Sequence, residues 1–327
     1  MKRLLLALCL TLLASPACAQ ATLTQRWAMQ EATGGTEIAN SVTSNKGTYS
    51  SGTYTARGGP GGTYLSSIDF PGDRRFTLDN QFSAGKDANW SISAWVLCDT
   101  AGSGVIVGRN AASGWIGMTA TTTVFVRGFG ISGTNFTVTA DTGTWHHYVV
   151  THLASSDAVN VYRDTTGSSS NPTTYDGTQD ADWVGATAFG STFHNGGICD
   201  LRIYSGVLST EERQALFDQG KPQNSVTPVV TGTPTVGETL SVADGTWSDG
   251  STTARQWKHD GTNISGATGT TYVVQSAYIG EDITCQITRT NSIGSLPATS
   301  NAVGPVEAAE GPPVSVTVAT QFGRRRR

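Results

Sequence analysis

Between Ser91 and Tyr204 the chain keeps returning to a two-residue period. Ser91–Cys98 (SISAWVLC), Gly104–Gly108 (GVIVG), Thr123–Arg127 (TVFVR), Trp145–Thr151 (WHHYVVT), Ala158–Arg163 (AVNVYR) and Ile198–Tyr204 (ICDLRIY) interleave β-branched or aromatic residues with small or polar ones. Gly-rich stretches separate them. Successive side chains of a strand point to opposite faces, so this period predicts half-buried strands joined by tight turns. Helical patterns do not alternate with these segments, which argues against a parallel α/β sheet. About a dozen strands over roughly 200 residues predicts two stacked antiparallel sheets. With 14% of residues charged and 39 glycines, the composition excludes a coiled coil, a helical bundle and a polytopic membrane protein. The fold class is all-β.

The amino end is of another kind. Met1–Gln20 opens with Lys2 and Arg3, runs apolar from Leu4 to Ala14, and passes Pro16 to the small-x-small trio Ala17-Cys18-Ala19. That pattern predicts a secretory signal peptide over residues 1–19 and a secreted, extracellular or cell-surface product. The apolar run is too short to span a bilayer, and no later segment approaches that length. Cleavage leaves Cys98, Cys199 and Cys285, an odd number in an oxidising compartment and no disulfide framework. Cys98 and Cys199 both fall in predicted strands, so a bridge between them and a pair of buried thiols both stay open. The formal net charge of −4 becomes −6 without Lys2 and Arg3, and about −10 with Arg324–Arg327 set aside. A body of that sign repels phosphate backbones, which argues against nucleic-acid binding through it.

A linker at Gly220-Lys221-Pro222-Gln223-Asn224-Ser225 divides the chain into a domain over 20–221 and a second over 226–306, followed by a flexible tail over 307–327. Just before the linker, Ser209-Thr210-Glu211-Glu212 spells a capping box. Ala215, Leu216 and Phe217 give the predicted helix its apolar face, and Gly220 closes it.

Several motifs carry a family resemblance. Trp27–Glu31 is similar to the opening strand of laminin G-like jelly rolls of the concanavalin A-like lectin/glucanase superfamily, and Asp69-Phe70-Pro71-Gly72 to that family's Phe-Asp-Gly turn. Ser91–Val96 resembles its central strand, and Trp145–Val149 its Trp-x-His-Val strand. Ile198–Tyr204 with the capped helix resembles its closing strand and terminal helix. The resemblance implies a jelly-roll sandwich with Trp27, Trp95 and Trp145 in its core, and rim loops that bind calcium. Asp73 and Asp200 are then the candidate ligands, hard oxygens suiting that ion. Pro71 and Cys199 stand where the family has Asp. Further on, Pro234–Leu240, Gly245-Thr246-Trp247, Gln256-Trp257, Ile264–Thr268 and Ile283–Ile287 resemble a bacterial immunoglobulin-like repeat. That resemblance implies a smaller β-sandwich with Trp257 in its core.

Searching for chemistry narrows the function. No Gly-x-Ser-x-Gly, His-Glu-x-x-His, Walker loop or Cys-x-x-Cys occurs, nor the Glu-x-Asp-x-Glu string by which glucanases of this fold pair their carboxylates. Gly128–Gly133 (GFGISG) spells a dinucleotide fingerprint, but a strand and not a helix follows it, so it reads as a hairpin turn. His146 and His152 share a strand face roughly 20 Å apart and His147 faces the other way, too dispersed for one ion. Glycan binding asks for an exposed aromatic face beside polar side chains. Trp90, Trp115 and Trp183, at strand ends or beside Gly-rich loops, are the candidate platforms, with His194 and Asn195 nearby.

The first expectation is a secreted, non-catalytic recognition or adhesion protein that binds glycans or a cell-surface partner through its lectin-like loops. In the tail, Val314, Val316 and Val318 alternate with Ser and Thr before four arginines. That supports an alternative, a structural subunit of a surface layer, filament or virion that self-associates through residues 314–318. A sugar-active hydrolase is the third reading.

Overall fold

The computed structural model describes residues 21–29, 37–39, 41–50, 52–72, 75–84, 87–100, 104–108, 115–120, 123–128, 131–136, 142–170, 179–186, 193–250 and 252–311. The signal-peptide pattern, Asp73 and the strand and arginines expected in the tail lie outside them. Two compact units emerge. One takes in the chain to Pro222 with Asn291–Gly294, the other Gln223–Thr290 and the chain from Ser295 on.

In chain order the first unit supplies β1 (Thr22–Trp27), β2 (Glu37–Ala39), β3 (Lys46–Tyr49), β4 (Thr55–Gly61), β5 (Tyr64–Pro71), β6 (Phe76–Ala84), β7 (Trp90–Cys98) and β8 (Gly104–Gly108). Then come β9 (Trp115–Ala120), β10 (Thr123–Gly128), β11 (Ile131–Phe136), β12 (His146–Leu153) and β13 (Ala158–Arg163). The last are β14 (Thr166–Ser170), β15 (Gln179–Val184), β16 (Asn195–Ser205) and the helix α1 (Thr210–Asp218). One eight-stranded antiparallel sheet runs β14-β13-β12-β7-β16-β5-β4, with β1 paired to the second half of β16. The other runs β11-β10-β9-β8-β15-β6-β3-β2. This is the all-β, two-sheet sandwich of a jelly roll. Of the GFGISG stretch, Gly128 pairs with Ile131 across the antiparallel strands β10 and β11.

Alternation decides which face each side chain covers. On β7, Trp90, Ile92, Ala94, Val96 and Cys98 enter a core shared with Trp27, Phe70, Phe76, Ile106 and Val184, drawn from both sheets. Trp95 and Leu97 point the other way and cluster with Tyr64, Trp145 and Cys199 beside Phe217 of α1. Burying side chains of this size stabilises by about 1.5–3 kcal/mol each. The helix starts as its sequence predicts: the Ser209 hydroxyl accepts from Glu212 N–H, and the Glu212 carboxylate accepts from Ser209 N–H. Its far end is closed by the β4–β5 turn, where Thr63 N–H donates to Gln219 O over 2.9 Å. Gly62 (φ +63°) allows that approach, because a Cβ there would stand 2.1 Å from the same carbonyl oxygen.

The second unit is a smaller β-sandwich. Its strands are β17 (Asn224–Val226), β18 (Val229–Thr231), β19 (Thr239–Ala243), β20 (Thr246–Trp247), β21 (Thr252–His259), β22 (Thr262–Asn263), β23 (Thr271–Val273), β24 (Ile283–Thr290) and β25 (Ser295–Thr299). They form sheets β18-β19-β23 and β22-β21-β24-β25, with β17 paired to β20. Trp257 fills the core, stacked on Tyr272 with ring centroids 5.5 Å apart, and its Nε1–H donates to Gly269 O. Cys285 lies opposite Trp257 on β24, buried as a free thiol.

Candidate functional site

The register of β7-β16-β5-β4 brings one end of the first sheet to a polar patch. Asn195 pairs with Pro71 and Gly197 with both Asp69 and Leu97, while Thr55 pairs with Asp69. Arg57 thus meets two acids, one 12 and one 42 positions away in sequence. Its Nη1 donates to Asp69 Oδ1 (2.8 Å) and Asp99 Oδ2 (2.9 Å), and its Nη2 to Asp99 Oδ1 (3.1 Å). Asn195 Nδ2 donates to Thr100 Oγ1 at 3.3 Å, and Asp99 N–H donates to Asn195 O at 2.9 Å.

Solvent reaches the patch: the side chains of Arg57, Asp69 and Asp99 are 28%, 32% and 39% exposed. Its floor is bare backbone. A Cβ on Gly197 would meet Trp145 Cη2 at 2.5 Å and Arg57 Cδ at 3.0 Å, so the glycine lets the indole edge and the arginine stem close over the strand. The hydrogen bond to Asp99 raises the Arg57 pKa against its partial burial, so the guanidinium stays charged. A guanidinium, two carboxylates, an amide and a hydroxyl make a set of donors and acceptors fitted to a polyhydroxylated ligand.

Of the predicted site residues, Asn195 belongs to this patch and the others with described side chains do not. Trp90 is 2% exposed and stacks on His152 at 5.5 Å, so its ring offers no platform; it continues the inward face of β7 that Ile92 and Ala94 share. Trp183 is 6% exposed, with the Arg75 guanidinium 3.9 Å from its ring centroid. His194 is wholly buried edge-on to Phe70, and burial pushes its pKa down to about 4. The Trp115 side chain lies outside the described residues.

Asp200, the second candidate calcium ligand, is engaged within the first unit. It sits at a bulge of β16 with φ +52°, its N–H donating to Ala28 O. Each carboxylate oxygen is taken by an arginine: Oδ1 by Arg26 Nε at 2.6 Å, Oδ2 by Arg202 Nε at 2.7 Å. Two guanidinium groups thus hold a carboxylate that is only 3% exposed. Arg202 also donates to Tyr64 Oη and Gln219 Oε1, so the network ties the closing strand to β5 and to the end of α1. Among the described residues no three His, Cys, Asp or Glu side chains converge as a metal site.

Of the two readings left open for Cys98 and Cys199, the structure holds the pair of buried thiols. Cys98 pairs with Gly196 and Cys199 with Trp95, three positions apart along the ladder. The thiols also point to opposite faces, one into the inter-sheet core and one toward α1, and both are free. Bridging requires Cα atoms within about 7 Å and converging Cβ vectors. The histidines are structural. His146 bonds Asp164, His147 Nε2 bonds Ser93 Oγ at 2.8 Å, and His152 Nδ1 bonds Ala88 O at 2.9 Å.

Arg57, Asp69 and Asp99 are not among the residues that the sequence pattern marks as site candidates. The available signal was an acid at the end of two predicted strand motifs, Asp69 in the turn and Asp99 after Cys98.

No curated protein matches the chain. Among solved structures it is similar to domain 4 of AbnA, a GH43 extracellular arabinanase from Geobacillus stearothermophilus, in complex with arabinotriose. Identity is 18% over 61% of this chain and 99% of that one, with a TM-score of 0.48. It is also similar to a Trypanosoma rangeli sialidase, with 12% identity, 61% and 33% coverage, and a TM-score of 0.42, so it spans a third of that enzyme. A third similarity is to the CBM40 of Ruminococcus gnavus IT-sialidase bound to α2,3-sialyllactose, with 11% identity, 46% and 95% coverage, and a TM-score of 0.36. Residues 70–212 match the laminin G-type family described as the concanavalin A-like lectin/glucanases superfamily.

Proposed function

We propose that this chain is a secreted carbohydrate-recognition protein that binds and does not cut. Its jelly roll carries the glycan site and its second unit serves as an immunoglobulin-like spacer. The observation that carries the reading is the exposed patch of Arg57, Asp69, Asp99, Thr100 and Asn195, set at the end of a lectin-type frame. Each sugar hydroxyl both donates and accepts. The two carboxylates accept, while the Arg57 Nε–H and its remaining Nη2–H stand outside the bonds to Asp69 and Asp99. Because that ion-pair network fixes the side chains before a ligand arrives, binding has less rotamer freedom to remove.

The test is a glycan array with the full chain, followed by calorimetry on the best-bound oligosaccharide with Arg57→Ala and Asp99→Asn. Each variant is expected to bind at least tenfold more weakly, about 1.4 kcal/mol, while circular dichroism stays unchanged. An array blank at every glycan, or wild-type affinity in both variants, sinks the site. Release of reducing ends from a bound polysaccharide sinks the non-catalytic part.

A further inference from the structure

The Arg57 patch carries more negative than positive charge, because one guanidinium meets the carboxylates of both Asp69 and Asp99. Among the described residues, Thr55 and Gly197 pair with Asp69 while Thr100 and Asn195 border Asp99, and none of the four is charged. Residues 20–222 as a whole hold seventeen acids against twelve bases, so the wider field has the same sign. The hydrogen-bonding capacity is as one-sided. Two carboxylates offer about eight lone-pair sites and a guanidinium five N–H groups. The three bonds between them take three of each. Acceptor sites therefore remain in excess, and what completes them is a ligand that brings hydrogen-bond donors.

We propose that Asp69 and Asp99 make this patch selective for glycans without acidic groups, and that it rejects sugars carrying a carboxylate or a sulfate. The inference rests on the glycan reading of the patch and adds to it the class of sugar. A carboxylate is gripped best by two parallel bonds from one edge of a guanidinium. On Arg57 the Nη1–Nη2 edge is already filled in that way by Asp99, at 2.9 and 3.1 Å. The other edge, Nε–H with the second Nη2–H, is open to a ligand oxygen. A hydroxyl placed there accepts from Arg57 and can donate to a carboxylate in turn. An acidic group placed there has no hydrogen to give, and it sets a third anion beside a single cation. One attraction then faces two repulsions at similar range, so the sum opposes binding. The two aspartates thus act twice, as acceptors for sugar hydroxyls and as the charge that turns acidic sugars away.

The test is a glycan array that sets neutral cores beside their acidic forms: lactose beside sialyllactose and 3′-sulfolactose, galactotetraose beside tetragalacturonate, and xylotetraose beside its glucuronate-branched form. It is probed with the full chain and with Asp69→Asn/Asp99→Asn, which keeps an oxygen for Arg57 and changes the patch from one net negative charge to one net positive. The readout is the ratio of acidic to neutral binding within a pair, which a general weakening of the site leaves unchanged. The full chain is expected to bind the acidic member about tenfold more weakly, and the double variant to bring the two members level or reverse them. The single variants Asp69→Asn and Asp99→Asn should fall between, and circular dichroism confirms that each variant is folded. Acidic members bound as tightly as neutral ones by the full chain, and lost in Arg57→Ala, overturn the selectivity and leave the glycan reading standing. A ratio that does not move in the double variant overturns the assignment to Asp69 and Asp99. An array blank at every glycan takes down the glycan reading itself, and this inference with it.

Discussion

Lowering the pH from 7 to 4 should unfold the first unit through two neutral histidines. His147 is 3% exposed beside Trp95 and His194 is wholly buried, and burial drops each from 6.5 to about 4. For His147, Asp200 and Asp164 pull the pKa up while Arg202 pushes it down, and desolvation outweighs them all. For His194, the Gly197 and Leu97 carbonyls and Asp99 oppose burial, and Arg57 assists it. Because the folded values lie below the unfolded ones, the unfolded chain binds the extra protons between about pH 6.5 and 4, so stability is full above that window and falls through it. At 1.36 kcal/mol per pH unit, the drop amounts to about 3 kcal/mol for each histidine, and both together approach the whole stability of a typical domain. Urea denaturation followed by tryptophan fluorescence at pH 7, 6, 5 and 4.5 reads the slope, expected near 3 kcal/mol per pH unit in mid-window. His147→Gln keeps a partner for Ser93 but cannot titrate, so it should roughly halve that slope, and His194→Gln should do the same. Wild-type slope in both variants would refute burial as the origin of the acid sensitivity.

Asp200→Ala removes the carboxylate that both Arg26 Nε and Arg202 Nε bond and should cost about 3–5 kcal/mol by thermal or chemical denaturation; a loss below 1 kcal/mol would mean water replaces the carboxylate. Gly197→Ala drives a methyl to within 2.5 Å of Trp145 Cη2 and should cost about 1–3 kcal/mol, weakening glycan binding at the same time by displacing the Arg57 stem. Thiol titration of residues 20–327 should find Cys98, Cys199 and Cys285 unreactive when folded and all three reactive in denaturant, with no change in Tm on adding a reductant; fewer than three reactive thiols in denaturant would reveal a bridge.

The strands were legible because alternation is local. Gly104–Gly108 and Ala158–Arg163 form over the residues their sequences mark, and Ser209 and Glu212 exchange the two bonds their spacing promises. The same rule, carried one step further, would have placed Trp90 correctly. It shares the parity of Ile92, Ala94 and Val96, all facing the inter-sheet core, so its position at a strand end does not expose it.

The site itself was illegible for a different reason. Arg57, Asp69 and Asp99 lie on β4, on β5 and just beyond β7, and they meet only because the first half of β16 is inserted between β7 and β5. Period two says which face a residue takes, but it carries no information on which strand lies alongside or in what register. Asp200 shows the complementary failure. An acid alone in an apolar strand, two positions from an arginine, does not tell which side chains will meet it, and the bulge between Cys199 and Arg202 sets that. By setting Asp200 at a positive φ between Arg26 and Arg202, that bulge makes the carboxylate a tie between the closing strand and β1. The Arg57 patch is built otherwise: one guanidinium answers two carboxylates, and all three side chains stay open to water.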